Sequence, residues 1–131
     1  MKLRVHSRPL VMVILVATLL IGCGDPKTTW RSEGRKQAKS DIAAGKLCLK
    51  TYGLPPEWTW KYESMAKEKY GVEFDAVAGC VVNDELMERT DGYNELMLQE
   101  IKRRFGPNAL EKLAEEARVK YQQEEEAHRQ P

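Results

Sequence analysis

Apolar and polar residues follow a helical period in the first half of the folded chain. Between residues 35 and 52, apolar or small residues recur every three or four positions on one helix face: Ala38, Ile42, Gly45, Leu49 and Tyr52. Gly53 and Pro55 predict the end of this helix, because glycine adopts the left-handed cap conformation and proline cannot continue a helix. Residues 57–70 predict a second short helix, which Gly71 ends.

The period then changes to two, which predicts a strand. Within residues 72–82, apolar Val72, Phe74 and Ala76 alternate with acidic residues, and further valines follow. A single strand leaves its backbone groups unpaired. The segment therefore folds back near Gly79 as a hairpin, pairs elsewhere in the chain or with a second chain, or forms an extended connector with little regular pairing.

Helical patterns return in the remainder of the domain. Asn83 predicts the start of a short helix, which breaks at residues 90–92 before a longer helix runs to Gly106. Asn108 and the glutamate three residues later resemble a capping box and predict a final amphipathic helix. We therefore predict a mainly α (α+β) fold with about four helices and one short strand or hairpin around residues 72–82.

An apolar run near the amino terminus predicts an export signal. Lys2, Arg4 and Arg8 precede residues 10–21, which are apolar apart from one threonine. A run of roughly 12 residues fits the core of a signal peptide, whereas a membrane-spanning helix needs roughly 20 apolar residues. We therefore predict a signal peptide over residues 1–22.

The end of this run, Leu20-Ile21-Gly22-Cys23, resembles the lipobox of bacterial lipoproteins. The resemblance covers four positions, and it implies cleavage before Cys23 and acylation of the cysteine sulfur and of the new amino terminus. Each buried methylene group contributes about 0.8 kcal/mol, so two or three acyl chains hold a protein at a bilayer nearly permanently. The alternative is a soluble secreted protein that is cut near Gly22 and keeps Cys23 as an ordinary thiol.

The same resemblance bears on localisation. It implies a cell-membrane protein, anchored by lipid, that faces the periplasm or the exterior. In enteric bacteria, an aspartate directly after the lipidated cysteine retains a lipoprotein in the inner membrane. Gly24 takes that place here and Asp25 follows it, so the outer membrane is slightly favoured.

The remaining cysteines form an even pair if Cys23 carries lipid. In an oxidising compartment this favours a disulfide between Cys48 and Cys80. Such a bridge closes a loop of roughly 33 residues and contributes about 3–4 kcal/mol in the loop-entropy model. The alternative is two separate buried thiols.

Charge and composition divide the rest of the chain. Three of the 21 Lys and Arg residues lie in residues 1–22, which leaves 18 against 20 acidic residues and a net charge of −2. This balance argues against a nucleic-acid partner. We predict a lipidated amino terminus and tether over residues 23–34, one small globular domain over 35–122 and a disordered charged tail over 123–131.

Catalytic chemistry has few candidates in this sequence. Beyond the signal peptide, His128 is the one histidine, and it lies in the charged tail. We therefore expect no enzyme, no metal site and no cofactor. Four acidic residues near the strand exit have the oxygen ligands that calcium prefers, but without EF-hand spacing we interpret them as helix-capping carboxylates: Asp84, Glu85, Glu88 and Asp91.

Aromatic residues give the one candidate binding surface. Trp58 and Tyr62 share a helical face, so Trp60 must point elsewhere. Tryptophan and tyrosine concentrate binding energy at interfaces, whereas the alternative is a small core that covers the Pro-Pro turn. We expect a lipid-anchored interaction module whose partner is an envelope protein, and the alternative is a module for a small ligand or cell-wall glycan.

Overall fold

A computed structural model describes residues 25–129 of the 131-residue chain. These residues form four helices and two strands, in the order α1 (Pro26–Ala43), β1 (Leu47–Tyr52), α2 (Thr59–Tyr70), β2 (Val72–Ala78), α3 (Asp84–Phe105) and α4 (Ala109–Arg129). The α1 helix packs on α3, and α4 packs on α2. The sheet joins the two helix pairs, since β1 contacts α3 and β2 contacts α2. The fold is mainly α with a small sheet, which confirms the predicted class.

The helix predicted over residues 35–52 ends early, and its second half is a strand. Gly45 has a φ of 79°. Its N–H bonds the Ile42 carbonyl at 3.0 Å, and the Lys46 N–H bonds the Asp41 carbonyl at 2.9 Å, which is a Schellman cap. The strand that follows begins with three consecutive buried residues. A strand covered on both faces reads as a continuous apolar run, so its residues fitted a helical period by coincidence.

This strand is the partner of the predicted one. The pairing of β1 with β2 is parallel, with Leu47 opposite Val72 and Leu49 opposite Phe74. No hairpin forms at Gly79, because α2 carries the chain back over the sheet between two parallel strands. The predicted α2 is confirmed, and Gly71 ends it in the left-handed conformation, with φ 67°.

The two helices predicted on either side of residues 90–92 are one helix. The Asn83 side chain accepts a hydrogen bond from the Leu86 N–H at 2.8 Å, which confirms the predicted cap. Thr90 and Gly92 then lie buried within α3 rather than in a break. Tertiary packing keeps this segment helical, because α1 lies against it.

Both segments predicted to be irregular are helical where the structure describes them. In the predicted tether, residues 23–34, α1 begins at Pro26, and the Asp25 carboxylate accepts the Lys27 N–H at 3.0 Å. In the predicted disordered tail, residues 123–131, α4 continues to Arg129. Contacts with α2 and the loop before it explain this: Lys61 pairs with Glu124, and the Tyr121 hydroxyl donates to a Glu57 carboxylate. Cys23, the predicted site of lipidation, lies outside the described residues.

The contact between α1 and α3 is close enough to require glycine on both helices. A Cβ atom at Gly34 would lie 2.0 Å from the Arg89 carbonyl oxygen, and a Cβ atom at Gly92 would lie 2.1 Å from the Arg31 carbonyl oxygen. A Cβ atom cannot lie within 2.1 Å of a carbonyl oxygen. The two glycines therefore let the backbones of α1 and α3 touch. Each glycine lies against the helix turn that contains the other glycine.

Ion pairs follow this seam. In three of them the basic residue lies on α1 and the acidic one on α3: Lys27–Asp84 (3.0 Å), Arg31–Glu88 (3.2 Å) and Arg35–Glu95 (2.7 Å). A fourth pair is reversed, with Glu33 on α1 and Arg89 on α3, 2.6 Å apart. The order of the pairs shows that the helices run in the same general direction. Exposed pairs contribute about 0–1 kcal/mol each, whereas tight core contacts contribute more. Backbone packing at the two glycines therefore stabilises this contact more than the ion pairs do.

Below the seam, the core is built around Tyr93. Its ring is 1% exposed, and its hydroxyl donates to an Asp41 carboxylate oxygen at 2.7 Å. Burial, followed by that hydrogen bond, raises the pKa of Tyr93. The other fully or nearly fully buried side chains come from both helix pairs and the sheet: Leu47, Val72, Met97, Ile101 and Leu113.

We expect Gly34→Ala and Gly92→Ala each to destabilise the protein by about 1–3 kcal/mol, because a Cβ atom would force the two helices apart. Alanine in place of a helical glycine otherwise stabilises by roughly 0.5–1 kcal/mol, so the sign of the change isolates the clash. Urea denaturation measures it.

Gly79→Ala is the matched control, since a Cβ atom there meets nothing within 4 Å. It should change the free energy of unfolding by no more than about 0.5 kcal/mol. A higher urea midpoint for both helix variants would contradict the close approach of α1 and α3.

Candidate functional site

Trp58 and Tyr62 form a layer over the sheet. Their ring centroids are 6.3 Å apart, and the Tyr62 ring meets the Phe74 ring edge-on at 5.2 Å. Burial, and to a smaller extent the neighbouring Glu111 and Glu63 carboxylates, raises the pKa of Tyr62 to about 12. These two predicted site residues therefore act mainly as packing between α2 and β2.

Trp60 points away from that layer, as its spacing predicts. Its side chain is 58% exposed, and it lines a groove of about 420 Å³ between α2 and β2. From α2 the groove also receives Glu63, Ser64 and Lys67, and from β2 it receives Glu73 and Phe74. The Lys61 ammonium nitrogen lies 5.2 Å from the centre of the Trp60 ring. We call this the Trp60 groove.

A second depression adjoins the Trp60 groove. It has a volume of about 300 Å³ and shares Glu63 and Phe74 with it. Its other walls come from the end of β1, the turn after it, the start of α2 and the middle of β2: Thr51, Tyr52, Gly53, Pro55, Thr59, Tyr62 and Ala76. The sequence pattern does not indicate the contribution of β1, because residues 47–52 fit a helical period.

The two edges of the sheet differ. At the outer edge of β1, the Asn94 amide accepts the Lys50 N–H at 2.9 Å and donates to the Lys50 carbonyl at 2.7 Å. Backbone groups alternate sides along a strand, so Asp75, which is opposite Lys50, points its N–H and C=O towards β1. Phe74 and Ala76 therefore point theirs to the outer edge of β2, where no group among residues 25–129 hydrogen-bonds them.

Acidic side chains surround this open edge. Glu73 pairs with Lys67 at 3.0 Å. Glu63 and Asp75 have no ion-pair partner in the part of the chain that the structure describes. The groove and the open edge therefore carry more negative than positive charge.

The structure contradicts the predicted disulfide. Cys48 is a buried free thiol, and Cys80 is an exposed free thiol. Cys48 lies opposite Glu73, and β2 then runs five residues further to Ala78, a distance of about 16 Å at roughly 3.3 Å per residue. Two more residues cannot bring Cys80 back within the approximately 7 Å that a bridge requires. The alternative of two separate thiols holds, although one of them is exposed.

The four carboxylates considered for calcium are held by basic side chains. Asp84 pairs with Lys27 at 3.0 Å, and Glu88 pairs with Arg31 at 3.2 Å. Glu85 pairs with Arg89 within the same helix, and Asp91 lies 3.9 Å from Arg31. Among residues 25–129, no three potential ligand side chains are grouped closely enough to hold a metal ion.

We expect Cys80 to react rapidly with an alkylating reagent in the folded protein and Cys48 to react only on unfolding. Cys48 is 3% exposed, and burial raises the pKa of its thiol, so its thiolate is scarce at neutral pH. Mass analysis of a Cys23→Ser chain, without reductant, should show one adduct in buffer and a second in urea.

A Cys80→Ser variant is the control and should lose the fast adduct alone. Oxidised protein that takes up no adduct even in urea would show that a bridge forms.

The described part of the chain contains no helix with the length and apolar character to cross a bilayer. Comparison of the whole sequence with protein-family models, curated proteins and solved structures finds no match.

Proposed function

We propose that this protein is a lipid-anchored lipoprotein of the cell envelope whose domain binds a partner protein through the Trp60 groove. The observation that carries the binding part is the exposure of Trp60, at 58%, beside a groove between a helix and a strand. A large aromatic side chain at the centre of a concave surface is the usual anchor of an interface. Its neighbours Trp58 and Tyr62 hold α2 in place, so the anchor sits on a rigid element.

The anchoring part rests on the lipobox resemblance at residues 20–23. Gly24 and Asp25 alone separate Cys23 from the first turn of α1. Two or three residues span at most about 10 Å, so an acylated Cys23 would hold the domain close to the bilayer surface. A partner would then be another component of the same envelope, met at short range.

Site-directed photo-crosslinking tests the binding part. With p-benzoylphenylalanine incorporated at Trp60, irradiation of cells should yield a discrete protein adduct, because the groove contacts the partner. The matched control is the same incorporation at Val119, which is 39% exposed on α4. No adduct at Trp60, or the same adduct at both positions, would contradict the assignment of this groove.

Replacement of the lipidated residue tests the anchoring part. Cys23→Ser should change the mass of the purified protein, because the resemblance ties both acylation and cleavage to this cysteine, and it should reduce the Trp60 adduct. A Cys80→Ser chain should stay with the membrane. If Cys23→Ser left the mass and the membrane fraction unchanged, the anchor would be disproved while the groove would stand.

A second candidate function, glycan binding, is favoured by the shape of the exposed indole. Sugar rings stack on exposed aromatic faces, and the groove volume of about 420 Å³ suits a small ligand. If this function is the right one, cell-wall glycan fragments at millimolar concentration should quench tryptophan emission of the wild-type chain and leave that of Trp60→Phe unchanged. Unchanged emission across a panel of fragments would exclude it.

A further inference from the structure

The edge of β2 offers a row of unpaired backbone groups to a partner. The outward N–H and C=O groups of Phe74 and Ala76 supply two donors and two acceptors at the spacing of a strand. At the opposite edge of the sheet, Asn94 occupies the backbone groups of Lys50. Unpaired strand edges bind extended chains, so natural proteins cover or charge the ones they do not use. Here one edge is covered and the other is left open beside a groove.

Side chains along β2 point alternately to the two faces of the sheet, and these faces differ in chemistry. On the α2 side, the Phe74 side chain lies in the Trp60 groove. On the other side, Asp75 is exposed, whereas Glu73 lines the groove and pairs with Lys67 of α2 at 3.0 Å. A segment added along the edge places alternate side chains on these two sides. It would therefore present apolar side chains to Trp60 and Phe74, and the remaining side chains to Asp75.

Charge decides between a second copy of this chain and a different partner. Two β2 strands paired antiparallel about a two-fold axis would bring Glu73 and Asp75 of one copy against the same carboxylates of the other. Like charges that face each other across a strand pair destabilise it. A segment with Lys or Arg at alternate positions instead places these cations beside Asp75, a carboxylate without an ion-pair partner among residues 25–129. The edge is therefore complementary to a cationic strand.

We propose that β2 binds an extended segment of a partner protein as a third strand, and that apolar residues alternate with Lys or Arg in this segment. Backbone hydrogen bonds to Phe74 and Ala76 provide affinity. The alternation of apolar and basic side chains in the segment sets its register along β2 and provides specificity. The proposal rests on the proposed function, since it names the kind of segment that the Trp60 groove receives.

Backbone-methylated peptides test this mode of binding on the wild-type chain. Calorimetry of the full chain in detergent micelles should show binding of the capped peptide VKVKVKV, and at least about tenfold weaker binding of the block peptide VVVVKKK and of VEVEVEV. Methylation of alternate peptide nitrogens gives two isomers, each blocked on one edge. One isomer should bind like the parent, and the other should lose binding. Equal binding of both isomers, or no discrimination against the block and acidic peptides, would overturn the proposal.

Protein variants test which edge is used. Ala76→Pro removes an N–H that points away from β1, so the existing pairing remains, and proline is tolerated at such edge positions. It should weaken VKVKVKV binding at least about tenfold, whereas Ala76→Val, which keeps the N–H, should change it by less than about twofold. Circular dichroism of both variants checks the fold. Equal affinity of the two folded variants would show that the peptide binds elsewhere.

A charge exchange tests the specificity. Asp75→Lys should weaken VKVKVKV and strengthen VEVEVEV, while Glu126→Lys, an exposed position on α4, should change neither. Self-association of the wild-type chain that Ala76→Pro abolishes would identify a second copy as the occupant and overturn the heterologous proposal.

The failure of this proposal can be separated from that of the proposed function. A Trp60 adduct in cells together with equal binding of the two methylated isomers would retain the groove and reject strand addition. Discrimination between the isomers without any Trp60 adduct would retain the strand-binding edge and reject the cellular role of the groove.

Discussion

The structure depends on the close approach of α1 and α3 at two glycines. Gly34 and Gly92 each lie against a backbone carbonyl of the other helix, at a distance where no Cβ atom fits. This contact determines how far α3 lies from α1, and ion pairs line the seam between the two helices. The buried Tyr93 then reaches Asp41 on α1, and Asn94, the next residue, reaches the backbone of β1. One helix contact therefore connects the amino-terminal helix to the sheet.

The placement of α3 makes the two edges of the sheet unequal. Because Asn94 occupies the outer edge of β1, the sheet can grow only at β2. The crossover helix α2 lies next to β2 and places Trp60 beside the open edge of that strand. Packing of Trp58 and Tyr62 on Phe74 holds α2 at this position. The candidate site is therefore a consequence of parallel strand pairing, which requires a crossover, and of a helix side chain that blocks one edge.

Carboxylates on this domain differ in whether a basic side chain pairs with them. Most carboxylates at the α1–α3 seam have basic partners, as the pKa of Glu95, lowered by its hydrogen bond from Arg35, illustrates. Two acidic residues around the open edge of β2, Glu63 and Asp75, have no ion-pair partner among residues 25–129. Under the anchoring that we propose, the domain would meet its partner at high local concentration, and a small groove with a few backbone hydrogen bonds would then be enough for binding.

The sequence by itself determined the local features of this protein: the class of fold, the cap at Asn83, the glycine that ends α2, a strand that begins at Val72, although it ends at Ala78 rather than at residue 82, and the outward direction of Trp60. Each depends on residues within one or two turns of one another. Only the tertiary structure decided the rest. Residues 47–52 fit a helical period, yet they pair with β2, and residues 90–92 contain a helix breaker, yet they stay helical against α1. Cys48 and Cys80 are an even pair in number but lie at opposite ends of the sheet. Strand pairing, helix contacts and the openness of an edge depend on segments far apart in the chain, and no local pattern encodes which of them meet.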